Sequence, residues 1–103
     1  FRQGDIYITK ISGVLASKHR LVDQPAAQLA PGTTRGSRHI LDSLDGVELY
    51  IVKDADALTG PLVVTLKERV VTHPEHGDVI LPPGCYAITY QRAYADELRR
   101  VAD

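Results

Sequence analysis

The chain has 103 residues, 44% of them hydrophobic, with 12 basic and 13 acidic side chains and a formal net charge of −1. That length suits one domain over residues 1–103, the hydrophobic share excludes disorder, and the charge balance argues against a nucleic-acid partner, which needs a basic stripe to displace counterions. No apolar run approaches the roughly 20 residues that span a bilayer, and a single cysteine, Cys85, excludes an internal disulfide and points to a reducing, cytoplasmic setting.

With one Phe, no Trp and no Met, the core must be built from Ile, Val, Leu, Ala and five Tyr. β-Branched residues and Tyr favour strands. The opening Phe1-Arg2-Gln3-Gly4-Asp5 has no signal-peptide character. Residues 5–11 read as a first strand, with Ile6 and Ile8 on one face and Tyr7 and Thr9 on the other. Ser12-Gly13 breaks it. Residues 14–24 are ambiguous, and 25–32, with two prolines, read as irregular or as a short edge strand. Residues 33–37 are turn-like and 38–41 a short strand. After the Asp- and Ser-rich turn at 42–46, residues 47–52 alternate cleanly. Residues 53–60 allow a helical turn.

Two strands follow at 62–66 and 70–72, the first a near-continuous apolar run that suits burial on both faces. His73-Pro74-Glu75-His76-Gly77 reads as a loop. Residues 78–81 and 85–91 read as a hairpin about a type II turn at Pro82-Pro83-Gly84. At the end, Tyr94, Leu98 and Val101 recur at helical spacing, and Asp96 and Glu97 precede Arg99 and Arg100 in the order the helix dipole favours. A short C-terminal helix over 94–101 is expected, with an extended tail as the alternative. The fold class is therefore mainly β to α+β, a small antiparallel barrel or sandwich of about seven short strands.

Chemistry-bearing residues are few. His73 and His76 share one tight loop, and His39 opens a strand elsewhere. Neutral imidazole binds zinc and similar divalent metals, so these three define a candidate metal or ligand site. A solvated loop with turn-capping histidines is the plainer reading. Arg35 and Arg38 flank Gly36-Ser37 in a loop that could hold a phosphate or carboxylate, against ordinary surface charge. Tyr86 and Tyr90 share a strand face with Ile88. If that face is the core they are structural; if it is exposed they anchor, with Tyr94, a subunit contact. Cys85 has no basic neighbour in sequence and reads as a small buried hydrophobe. No P-loop, dinucleotide fingerprint or nucleophile elbow is present.

The stretches Arg2-Gln3-Gly4-Asp5-Ile6, His73-Pro74-Glu75-His76, Leu81-Pro82-Pro83-Gly84 with Tyr86, Gln91-Arg92-Ala93-Tyr94 and Arg100-Val101-Ala102-Asp103 occur in this order. The chain thereby resembles a group of small bacterial and phage proteins of no established activity. Their pattern runs RQGDV, TGHAH, H-x-E-H, LPxGxY, QREY and RRVxD. The resemblance implies that His39 matches the second histidine of GHAH and that His73 and His76 form the H-x-E-H pair. It implies that positions 39, 73 and 76 meet in space. The first GHAH histidine is replaced by Ser37, and the QREY glutamate by Ala93.

The expectation that follows is a small homo-oligomeric binding or accessory protein with a pocket for a small molecule or a protein partner. It needs no cofactor, and an enzymatic role is disfavoured. The alternative is a metal-binding protein or metal-dependent enzyme using a divalent ion such as zinc at His39, His73 and His76.

Overall fold

The computed structural model describes residues 1–30, 39–93 and 95–96. Ten strands lie within them: β1 (Arg2–Gln3), β2 (Ile6–Ile11), β3 (His19–Leu21), β4 (Gln28–Ala30), β5 (His39–Leu41), β6 (Val47–Val52), β7 (Thr59–Thr65), β8 (Arg69–Thr72), β9 (Val79–Leu81) and β10 (Gly84–Tyr90). The excess over seven comes from strands of two or three residues, such as β1 and β3, too short to show a period in the sequence. All pairings are antiparallel. One sheet runs β1-β2-β10-β7-β6-β3 and the other β4-β5-β8-β9. The arrangement is sandwich-like, not a closed barrel.

The core lies between the sheets. Ile6, Ile8, Leu49, Val63, Tyr86 and Ile88 reach it from the larger sheet, and Leu29, Ala30, Leu41, Val71, Val79 and Leu81 from the smaller. Two-residue alternation produces this: in β2, Ile6 and Ile8 are fully buried while Tyr7 and Thr9 are exposed. β7 sits inside the larger sheet and is covered on both faces along much of its length, as its apolar run requires. Its Pro61 has no N–H to give a ladder. It lies beside a register shift against β10, where β7 pairs resume at Leu62. Gly60 occupies the same irregularity. A Cβ there would stand 2.9 Å from Tyr90 Oη and 3.1 Å from the Ile88 carbonyl.

The expected hairpin over 78–91 does not form. β9 pairs with β8 in the smaller sheet, while β10 pairs with β2 and β7 in the larger. Gly84 is already in β10 and is not among the glycines with positive φ. Two consecutive prolines cannot donate to a ladder, so the chain leaves one sheet at Pro82 and joins the other at Gly84. Tyr86 fastens the crossing by donating its hydroxyl to the Pro82 carbonyl at 2.6 Å. Residues 53–58 form turns, not a helix; Asp56 accepts from the Leu58 N–H and the Thr59 hydroxyl. After β10, residues 92–93 begin a helical turn, and the Ala95 N–H donates to the Gln91 carbonyl at 2.9 Å. The rest of the expected terminal helix lies outside the described residues. Among them, no helix is long and apolar enough to cross a membrane.

Candidate functional site

The β1–β2 hairpin turns through Gly4-Asp5, since Gln3 pairs with Ile6 and Arg2 with Tyr7. Gly4 has φ +54° and Asp5 is not among the positive-φ residues, the signature of a II′ turn with glycine first. The turn folds Gln3 back opposite Ile6, on the core-facing side. A polar side chain there must find partners inside. Gln3 is 2% exposed, and its amide nitrogen donates to the Val71 carbonyl at 2.8 Å and the Gly77 carbonyl at 2.9 Å. Both amide hydrogens are thereby used, and the amide oxygen faces His39 Nδ1 at 2.8 Å. That nitrogen must donate, so neutral His39 carries its hydrogen on Nδ1.

His39 opens β5, and His73 follows β8. Their ring centroids are 4.5 Å apart with planes tilted by 41°. His76 repeats the contact on His73, again at 4.5 Å and 41°. The three imidazoles form a stack that starts fully buried at His39, passes through His73 (8% exposed) and reaches solvent at His76. The His76 ring closes over the hairpin turn, where a Cβ on Gly4 would meet its Cδ2 and Nε2. Glycine is needed there for its φ and for this close approach.

His73 has the opposite tautomer. Its Nδ1 accepts the Glu75 N–H at 3.0 Å, so the neutral ring carries hydrogen on Nε2. That atom is buried with no partner among the described residues. Burial is the main reason His39 titrates low, at about 4, with the neighbouring His73 adding to it; Asp5 pulls the other way and His76 lowers it further. Burial likewise lowers His73, followed by His76, while Glu75 and Asp5 oppose the shift. The two buried rings, His39 and His73, are thus held neutral and in opposite tautomers.

A cavity of about 510 Å³ opens beside it, with residues 2–4 on one wall and 76–79 on the other. It lies between β1, an edge of the larger sheet, and the start of β9, an edge of the smaller. The Arg2 guanidinium marks its rim, donating to the Gly4 carbonyl and lying 5.4 Å from the Tyr7 ring centroid.

Positions 39, 73 and 76 therefore do come together. They meet ring over ring, and among the described residues no group of three or more His, Cys, Asp or Glu side chains is disposed to hold a metal ion. The fourth histidine, His19, caps a turn by accepting the Leu15 N–H at 2.8 Å. Arg35, Arg38 and Tyr94 lie outside the described residues. Tyr86 is 1% exposed and belongs to the core, and Tyr90 packs against that core with its hydroxyl 3.4 Å from the Leu29 carbonyl. These two rings face the interior. Cys85 pairs with Ile11, at the far end of β2 from Gly4; burial raises its thiol, so it is not an activated nucleophile. Gln3, Gly4 and Asp5 were not among the site residues that sequence reasoning singled out. Their signal was present: a glutamine placed across a two-residue turn from Ile6 must face the core.

The chain belongs to the family described as Domain of unknown function (DUF8820), whose model matches residues 2–91. The matched stretch contains the whole histidine stack and its Gln3 clamp. No curated protein and no solved structure matches the chain.

Proposed function

We propose that this member of the DUF8820 family is a small binding protein that takes a polar small molecule in the cavity between residues 2–4 and 76–79. One observation carries the reading: segments distant in sequence converge on that cavity through Gln3, whose single amide bonds His39, Val71 and Gly77. A glutamine with both amide hydrogens and its oxygen engaged this way is a positioning device, and the rigid wall it makes suits a site better than mere packing does. The walls offer a guanidinium, an imidazole, a carboxylate and backbone groups, which is recognition chemistry for a polar ligand. A binding role fits better than catalysis, since the only thiol is remote and raised.

The same protein works as a homo-oligomer in this reading. Among the described residues the sheet order leaves β1, β3, β4 and β9 as edges, and Leu21, Ile51 and Ile80 are 44–53% exposed on or beside them. Open edges with apolar side chains call for cover by another chain.

The test is a nuclear magnetic resonance screen of the labelled chain against a fragment set of neutral and charged polar molecules, with the native mass measured on the same sample. Binding should shift amides at 2–5 and 73–79 and vanish in Gln3→Leu. Hits confined to other faces would overturn the site. A strictly monomeric mass at high concentration would overturn the assembly, and stoichiometric metal would move the reading to the histidine metal centre.

A further inference from the structure

We propose that the histidine stack is an acid-operated latch: a proton taken up by His73 breaks the 73–77 turn and frees that loop from the β1–β2 hairpin, opening the cavity between them. This regulates the site proposed above and rests on that reading for its purpose alone; the latch itself needs no ligand.

The argument begins with donors and acceptors. Neutral His73 uses Nδ1 to accept the Glu75 N–H. An imidazolium has two N–H donors and no acceptor. A proton can enter His73 only at Nδ1, where it would face the Glu75 N–H, so the bond that shapes the loop cannot survive. Two side-chain hydrogen bonds hold this loop among the described residues, that one and the Gln3 amide on the Gly77 carbonyl. Loss of the first leaves the loop on the second.

The surroundings set the direction. His73 is faced by His39 from β5, by Glu75 and His76 from its own loop and by Asp5 from the hairpin turn. The carboxylates favour a charged ring, but burial and the stacked His76 outweigh them, and the ring's titration is lowered. A buried ring that must stay neutral to remain in place gains its charge most readily by moving into water. Burial holds His39 neutral down to about pH 4, so at pH 5.0 it stays bonded to Gln3. The opening is therefore confined to the outer half of the stack, and the hairpin keeps its inner anchors at Val71 and His39.

The experiment is amide hydrogen exchange of the full chain, in the presence of a chelator, at pH 7.5 and pH 5.0, corrected for the intrinsic pH dependence. Protection of the Glu75 amide, the one that His73 accepts, should fall at least about tenfold at pH 5.0 while β2, β7 and β10 keep theirs. His73→Asn supplies the control. An Asn side-chain oxygen accepts the N–H two residues on, as in an Asx turn, and cannot take the proton. Its loop should keep the same protection at both pH values. Should that variant not fold, the ring nitrogen shifts of His73 in the natural chain decide: Nδ1 should gain its proton at the pH where the loop opens. Unchanged loop protection at pH 5.0, equal opening in His73→Asn, or simultaneous loss across all strands would each overturn the latch. None of these outcomes depends on whether a ligand binds.

Discussion

Gln3→Leu is the sharpest perturbation. Leucine nearly matches the volume of glutamine, so the packing change is small and the effect is polar. Three bonds are lost, at 2.8, 2.9 and 2.8 Å. The two carbonyls each lose one acceptor contact, worth about 0.5–1 kcal/mol apiece. The His39 N–H is the larger item: it is left buried without its acceptor, at about 1–3 kcal/mol. The sum is roughly 2–5 kcal/mol, a large part of the stability of a domain this small. Urea denaturation at pH 7.5, followed by far-ultraviolet circular dichroism because there is no Trp, measures it directly. Gln3→Glu separates polarity from shape. Its carboxylate accepts from His39 but cannot donate to Val71 and Gly77, and it favours a charged His39. It should be destabilised at pH 7.5 and should recover, relative to the natural protein, as the pH falls toward 5. A loss below about 1 kcal/mol in Gln3→Leu would refute the clamp.

Other outcomes follow from the same geometry. Stability should fall with acid: His39 titrates at about 4 when folded against 6.5 unfolded, so the unfolded chain binds the proton first. The stabilisation is complete above pH 6.5 and lost progressively toward pH 4, by about 3 kcal/mol from this residue, measurable as a fall in urea midpoint. Gly4→Ala places a side chain at φ +54° against His76; a loss of about 1–2 kcal/mol is expected, with His76 resonances displaced. Tyr86→Phe removes the hydroxyl bond to Pro82 and should cost about 1 kcal/mol with the core resonances unchanged. Gly60→Ala should cost more than a surface substitution, because its Cβ meets Tyr90 and the Ile88 carbonyl; thermal denaturation reads the difference.

Alternation made β2, β6 and β7 legible, because a strand half covered by a second sheet must alternate and one covered on both faces must be apolar. The histidine cluster was visible as a resemblance, yet its form was not. Spacing in a sequence says which imidazoles exist; it does not say whether they aim lone pairs at one point or stack. That depends on where β5 and β8 lie in the smaller sheet, and on Gln3, which arrives from the larger one. The 78–91 segment shows the same limit. Two strands around Pro82-Pro83-Gly84 carry the local marks of a hairpin, and only the two-sheet packing sends them apart.

Composition and periodicity determined that this chain is β-rich, balanced in charge and built on an aliphatic core with tyrosines. These are local properties, set by each residue's preference for water and for extended backbone. The strand order, the crossing at the prolines, the partners of the Gln3 amide and the tautomers of His39 and His73 were decided by tertiary structure. Each depends on which backbone groups from distant segments are left to be satisfied once the core has closed, and a buried hydrogen bond has no signature until both of its partners are in place.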